Sequence, residues 1–253
     1  ANVLIGNEAG DAITSGGNNI AIGHRALSTE DGHGRNVAIG NQALKDLDAG
    51  ANGLNVAIGH NAAENMTTGN YNVILGGLAG DALTSGGKNI AIGYQALSAE
   101  DAHSKNVAIG YRALLVQDAG ANGENVALGH EAGLDVSTGT ANTLIGHDAG
   151  KSITTGSNNI VIGHDAAASA VDVSNTITMG DGNVNLLRIP GLGSSDGHVL
   201  TYSSSSGGIV LAAASGGGVT GKVEGTDFSG SLLVGHTTTG TLSSAANNTC
   251  VGI

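Results

Sequence analysis

The sequence predicts an all-β protein built as a parallel β-solenoid or β-roll, in which a unit of about 17 residues forms each turn. A glycine preceded by an apolar residue recurs with nearly constant spacing along the chain, and a β-branched run precedes most of these glycines. The 253 residues include 44 glycines but only four Tyr, one Phe and no Trp. A compact domain of this length normally fills its core with aromatic and large aliphatic side chains. The composition therefore favours an elongated stack of turns with a narrow core.

The repeating unit reads Asn-(Val/Ile)-Ala-Ile-Gly-x-x-Ala. Asn lies four residues before the repeat glycine, and Ala lies three residues after it, in ten of the eleven units. The structural positions are represented by Asn19, Ile22 and Gly23, and one block later by Asn89, Ile92 and Gly93. The repeat glycines are Gly6, Gly23, Gly40, Gly59, Gly76, Gly93, Gly110, Gly129, Gly146, Gly163 and Gly180.

Each part of the unit has a local physical interpretation. The β-branched run predicts a short strand, and the glycine ends it where a bend or a close backbone approach leaves no room for a Cβ atom. The segment that follows, such as residues 94–98, is compatible with a second strand or with a short helical turn. Thr-Thr-Gly at residues 67–69 and 154–156 predicts a turn that closes the unit.

A single unit cannot bury its apolar side chains, so the units are expected to stack. Successive turns at ~4.8 Å place Ile on Ile and Ala on Ala, so eleven turns extend roughly 50 Å. The recurrent Asn predicts a ladder in which each side-chain amide bonds the next copy, and we assign the Asn and Gly columns to the scaffold. The apolar face of each turn is thin and leaves one side of a lone chain exposed. We expect this apolar side to be buried against symmetry-related copies of the chain. Three-fold symmetry is preferred, and two-fold symmetry is left open.

The repeats fall into a longer pattern. Residues 2–71 align with residues 72–141 without a gap, and a third, partial copy follows. We therefore predict a repeat array at 1–180 (super-repeat copies 2–71, 72–141 and partial 142–180), a non-repeat β insert or linker at 181–230, and a restarted, truncated repeat at 231–253. The chain begins and ends within repeats, so we interpret it as a segment of a longer polypeptide.

The insert carries its own signals. Residues 198–202 and 209–212 are extended apolar runs around a Ser/Gly stretch, which predicts a β-hairpin. Pro190-Gly191 predicts a turn, and the three glycines at 216–218 predict a linker.

Charge and composition exclude several functional classes. The formal net charge is −12 with nine Lys and Arg residues, so the clustered cations of a nucleic-acid surface are missing. The apolar runs are far shorter than a membrane span, which argues against membrane insertion. Cys250 is the single cysteine, so an intrachain disulfide is impossible.

The motif resembles a known class of fibrous proteins. Asn-Asn-Ile-Ala-Ile-Gly-x-x-Ala-Leu at 18–27 is similar to the repeats of phage tail-fibre and related virion fibre proteins, and its Ala-Ile-Gly-x-x-Ala core is similar to the head repeats of trimeric autotransporter adhesins. The segments 174–180 and 196–202 resemble strands that follow such arrays in phage fibres. The unit in this chain is longer than the adhesin repeat and so favours the phage type.

The resemblance implies a function. It implies an elongated homotrimeric fibre of a virion tail, which acts as a structural protein in attachment to a host surface glycan or protein receptor. It implies no enzymatic activity and no cofactor. A trimeric adhesin at the bacterial cell surface is the alternative, and a fibre that depolymerises surface polysaccharide is a third hypothesis.

Histidine follows the repeat glycine in several units, including the consecutive turns that contain His130, His147 and His164. In a trimer each would form a ring of three imidazoles able to hold a transition metal. Because other turns carry Asn, Gly, Tyr or Asp in this column, we interpret it as solvated surface and expect no metal.

Other polar and aromatic pairs have weaker functional interpretations. The carboxylate pairs Glu30-Asp31 and Glu100-Asp101 would suit glycoside hydrolysis or calcium, but their turn-like surroundings favour solvated loops. Tyr94 and Tyr111 share a column on adjacent turns, where they would make a small platform for a sugar or simply pack laterally.

Overall fold

The computed structural model describes residues 1–184, except 30, 31, 33, 49–52, 100, 101, 103 and 119–121, together with four strands nearer the C-terminus. The chain divides into two units, Ala1–Leu186 and Leu187–Ile253.

The first unit is a parallel β-solenoid, as the sequence predicts. Eleven three-residue strands form one sheet in chain order, and every neighbouring pair is parallel. The described residues of this unit contain no helix. The strands are β1 Val3–Ile5, β2 Ile20–Ile22, β3 Val37–Ile39, β4 Val56–Ile58, β5 Val73–Leu75, β6 Ile90–Ile92, β7 Val107–Ile109, β8 Val126–Leu128, β9 Thr143–Ile145, β10 Ile160–Ile162 and β11 Ile177–Met179.

The two longer repeats do not disturb the ladder. Val37 pairs with Val56, and Val107 pairs with Val126, although the chain between these partners is slightly longer than in the other turns. The strands stay in register because the connections between them absorb the two additional residues.

The segment after each strand is neither of the two structures that the sequence left open. It is a chain of turns in which alternate residues have left-handed backbone angles, such as Gln95 at φ 54° and Leu97 at φ 54°. These residues still bond to both neighbouring turns: the Gln95 N–H donates to the Gly77 carbonyl (3.1 Å), and the Leu97 N–H donates to the Ala113 carbonyl (3.0 Å). The backbone groups are thus satisfied between turns without a second strand.

The repeat glycine is required by both conformation and space. Gly93 has a φ of 137°, and a Cβ atom there would lie 2.2 Å from the carbonyl oxygen of Gly110 in the next turn. Side chains of L-residues are strained at this φ, and the clash is with backbone that belongs to the ladder.

In most strands the middle residue points into the solenoid, and in several turns its size is complemented by the residue six positions later. Ala91 is fully buried and is followed by the buried Leu97, whereas the bulky Leu144 is followed by Gly150. A Cβ atom on Gly150 would lie 2.6 Å from Leu144 Cδ2. In these turns a large side chain at one position accompanies a small residue at the other, so that both fit within the narrow core.

A ladder of buried asparagines runs along the stack, although its main bonds differ from those predicted. The Asn72 side-chain oxygen accepts the backbone N–H of Asn89 (2.8 Å), and its Nδ2 donates to the carbonyl of Gly86 (2.9 Å). Asn19 likewise accepts the backbone N–H of Asn36 (2.9 Å). Direct amide-to-amide bonds occur only at some turns, such as Asn72 Nδ2 to Asn55 Oδ1 (3.2 Å). The asparagines chiefly satisfy backbone groups of adjacent turns.

The second unit contains two strand pairs among its described residues. β12 His198–Ser203 and β13 Gly208–Ala213 pair antiparallel, which confirms the predicted hairpin. β14 Leu233–Val234 pairs in parallel with β15 Cys250–Val251, and the partners are separated by the length of one repeat unit. The Pro-Gly turn at 190–191 and the linker at 216–218 lie outside the described residues.

Candidate functional site

One side of the solenoid is an apolar sheet face, formed by the first and third residues of strands β1–β11. Of these 22 positions, 21 carry Val, Ile, Leu or Met, and Thr143 is the exception. The middle residue is Ala in six of the eleven strands, and each of these alanines is fully buried. In these six strands the small side chain lies inside and the large aliphatic side chains lie outside, which reverses the usual arrangement of a half-buried strand.

This outer sheet face is substantially exposed. Ile58, Leu128 and Ile162 are 37%, 45% and 40% accessible, whereas both outer positions are half-buried in β2, β3, β5, β6, β7 and β9. Eleven strands at ~4.8 Å and three residues per strand at ~3.3 Å give a projected area of roughly 500 Å². The largest apolar patch on a typical monomer is about 300–600 Å² and often marks an interaction site.

A column of aromatic rings runs beside this face, one residue after each repeat glycine. Five consecutive turns contribute stacked rings: Tyr94, Tyr111, His130, His147 and His164. Successive ring centroids are 5.7, 5.0, 4.8 and 4.9 Å apart, with interplanar angles of 4–16°. The strand spacing sets these distances, so the solenoid itself brings the three candidate histidines together.

Two aspartates join the histidines within the same chain. The Oδ1 atom of Asp148 lies 3.8 Å from His130 Nδ1 and 3.5 Å from His147 Nδ1. One turn later, Asp165 lies 3.7 Å from His147 Nδ1 and 3.1 Å from His164 Nδ1. Each triplet has one ligand atom per residue, and these atoms all lie within 4.8 Å of one another.

The groups beside Asp148 form an ion-pair network across turns. Lys151 Nζ contacts the Glu131 carboxylate and lies 3.4 Å from Asp148 Oδ2, while Arg112 lies 3.5 Å from Glu131. The hydrogen bond from Lys151 holds the pKa of Glu131 below its usual value, and the same bond raises the pKa of Lys151. The remaining oxygen, Asp148 Oδ1, is buried and accepts no hydrogen bond.

The stacking of the two tyrosines bears on the sugar-platform hypothesis. The faces of Tyr94 and Tyr111 turn toward each other, and Tyr111 also stacks on His130. Both faces of Tyr111 are therefore covered by neighbouring rings and one face of Tyr94 is covered, so Tyr111 offers no free face to a sugar. The structure supports the lateral-packing interpretation.

The other residues predicted from the sequence lie in the scaffold or outside the described residues. The pairs Glu30-Asp31 and Glu100-Asp101 lie outside the described residues. Asn19 and Asn89 are buried, Gly23 and Gly93 close their strands, and Ile22 and Ile92 lie on the outer sheet face. Sequence reasoning missed Asp148 and Asp165, although the His-Asp pair that recurs in the next repeat unit was the available signal.

Comparison with known proteins does not assign the chain to a family. No protein-family model matches the chain, and neither a curated protein nor a solved structure matches it significantly. Among the described residues, no helix has the length and apolar character that crossing a membrane requires.

Proposed function

We propose that this chain is a shaft segment of a homotrimeric fibre, in a phage tail fibre or similar virion appendage that supports attachment to a host surface. The observation that carries the proposal is the outer sheet face, where 21 of 22 positions are large and aliphatic. A second copy of the chain is its occupant, because the face extends along the whole stack as a regular ladder. An identical ladder matches it turn for turn.

The size of the face supports an interface between copies. Its projected area of roughly 500 Å² understates the accessible area, because the side chains corrugate the surface. A standard interface buries about 800 Å² of accessible surface on each partner. Covering the face would also remove the exposed parts of Ile58, Leu128 and Ile162 from water.

Two features favour three-fold over two-fold symmetry. The face has two parallel rows, the first and the third strand residues, and a cyclic trimer needs two different surfaces on each chain because its contacts are heterologous. The resemblance of the repeat to trimeric fibres points the same way. The acidic net charge of −12 then lies on the outside of the fibre, where it favours solubility.

A cysteine placed on the face tests this arrangement. Ile22 lies in the second strand, so in a parallel assembly it is level with the second strands of the neighbouring copies around the axis, whereas in an antiparallel dimer it lies opposite strand β10. In a Cys250→Ser background, Ile22→Cys should form disulfide-linked dimers under mild oxidation. Three cysteines around an axis can form only one disulfide, so the linked fraction should stop near two-thirds.

The control places the cysteine elsewhere on the same solenoid. Asp11 is exposed and lies outside the sheet. Asp11→Cys in the same background should remain unlinked under the same oxidation. Equal linking of both variants, or of neither, would contradict the parallel packing of the outer sheet face.

The virion assignment has its own test. Antibodies raised against the purified chain should label tail appendages on virus particles from the source material in immunogold electron microscopy. Labelling of bacterial cell surfaces alone would support the adhesin instead. Release of shortened products from host polysaccharide by the purified chain would support the depolymerase.

A further inference from the structure

We propose that His130, His147 and Asp148 form a binding site for one divalent transition-metal ion of the zinc type. The inference does not rest on the fibre function, because all three ligands belong to one chain. It also differs from a ring of imidazoles around a symmetry axis, which needs three chains.

The solenoid places the three groups in register. His130 and His147 occupy the same column on adjacent turns, with ring centroids 4.8 Å apart and an interplanar angle of 4°. Their Nδ1 atoms lie 3.8 and 3.5 Å from the same oxygen, Asp148 Oδ1. The three ligand atoms therefore surround one point at the corner that follows the strands.

An independent observation points to a cation at that point. Asp148 Oδ1 is buried and accepts no hydrogen bond, whereas Oδ2 lies 3.4 Å from Lys151 Nζ. A buried carboxylate oxygen that accepts no hydrogen bond is unfavourable. A metal ion bound by Oδ1 and both imidazoles would satisfy it. Lys151 opposes the ion only in part, since Glu131 contacts the same ammonium group and compensates its charge.

The chemistry of the ligands selects the class of ion. Two imidazole nitrogens and one carboxylate suit Zn²⁺ and neighbouring first-row metals, with water in the remaining position. Zn–N bonds of about 2.0–2.1 Å require the two nitrogens to lie roughly 3.4 Å apart in a tetrahedral site. The imidazoles can rotate to bring their nitrogens to this separation, because the side chains of His130 and His147 are 47% and 46% exposed.

The second triplet, His147, His164 and Asp165, competes with the first for one ligand. His147 has a single Nδ1 atom and can give it to only one ion at a time. Asp165 is 52% exposed, so water already solvates its carboxylate, whereas the Asp148 side chain is 22% exposed. The first triplet therefore gains more from an ion, and we expect one ion per chain.

The site occupies only a short part of the histidine column. A column of ligands that varied from turn to turn argued against metal binding along the whole stack. The proposed site needs only two adjacent turns and one aspartate. Variation elsewhere in the column, such as Gly77 and Tyr94, does not affect it.

Isothermal titration of the chelator-treated chain with Zn²⁺ at pH 7.5 tests the site. The wild type should bind one Zn²⁺ per chain. His130→Gln and Asp148→Asn should each weaken binding by at least ~10-fold, the smaller end of the effect seen when even outer ligands are removed. His60→Gln is the matched control, since His60 occupies the same column between Asn41 and Gly77, and it should leave binding unchanged. His164→Gln should change affinity by less than about 2-fold, a smaller change than even an outer ligand causes.

The outcomes separate the alternatives. Loss of binding in His164→Gln but not in His130→Gln would overturn the assignment in favour of the second triplet. One ion per three chains would replace the site by a ring between copies. No binding by the wild type, or equal binding by wild type and Asp148→Asn, would refute the site. Far-UV circular dichroism identical to wild type would show that each variant has folded.

Discussion

Replacing one repeat glycine should damage the stack far more than replacing a glycine elsewhere. Gly93→Ala puts a Cβ atom 2.2 Å from the Gly110 carbonyl oxygen, at a φ of 137°. Backbone strain of this kind costs about 1–3 kcal/mol. The clash adds to it, because the carbonyl belongs to the adjacent turn and cannot move without disturbing the ladder. We expect a loss of at least ~3 kcal/mol in the free energy of unfolding, near the upper end of single substitutions.

A matched substitution isolates this effect. A Cβ atom added at Gly17 would have no other atom within 4 Å, and the φ of Gly17 is not left-handed. Gly17→Ala should therefore be neutral or stabilising by up to ~1 kcal/mol, through the lower entropy of the unfolded chain. Both variants have the same chemical change, so their difference reports conformation and space alone.

Thermal unfolding followed by far-UV circular dichroism measures both variants. For a unit of this size, 1 kcal/mol corresponds to about 2–4 °C in Tm, so Gly93→Ala should lower Tm by roughly 6–12 °C or more. Because turns of a solenoid are coupled to their neighbours, the transition of Gly93→Ala should also broaden or split. A Tm within ~2 °C of wild type, or a loss equal to that of Gly17→Ala, would refute the close approach of adjacent turns.

Three further predictions concern the core, the ladder and the ion pairs. Leu144→Ala should lower the free energy of unfolding, measured by chemical denaturation, by about 2–5 kcal/mol, because the neighbouring Gly150 has no side chain to fill the cavity. A loss below ~1 kcal/mol would contradict the tight packing. Asn72→Ala should cost about 1–3 kcal/mol, because it leaves a buried backbone N–H without its acceptor; hydrogen exchange should show faster exchange of that amide, and unchanged protection would argue against the ladder. The pKa of Glu131 is lowered in the folded chain, so its contribution to stability is present above the unfolded pKa of ~4.3 and is lost as pH falls through the folded value. Acid titrations should therefore show a smaller loss of stability below pH ~4 in Glu131→Gln than in wild type, and identical acid profiles would contradict the pairing with Lys151.

Much of the fold follows from the sequence because a solenoid repeats its constraints. The spacing of the repeat glycines fixes the length of a turn, and the β-branched runs before them fix where the strands lie. The requirement for glycine at positions such as Gly93 has a single physical cause, which acts again at each turn. The hairpin at 198–213 also follows from two extended runs around a Ser/Gly stretch.

Three features could not be derived in the same way. Alternation along a strand separates two faces, but it does not say which of them lies inside, and here Ala91 is buried while Ile92 faces outward. The left-handed backbone at Gln95 and Leu97 is uncommon for such residues and is imposed by bonds to adjacent turns. The approach of Asp148 to two histidines depends on that same backbone, so the sequence shows the three residues without their geometry.

The central claim is that the outer sheet face is covered by copies of the same chain. Light scattering coupled to size-exclusion chromatography measures the molar mass in solution most directly. We expect three times the 24.6 kDa of the single chain, and we expect Ile58→Asp combined with Leu128→Asp to reduce this mass. A wild-type chain that remains at 24.6 kDa at high concentration would contradict the covering of the outer sheet face by copies of the chain.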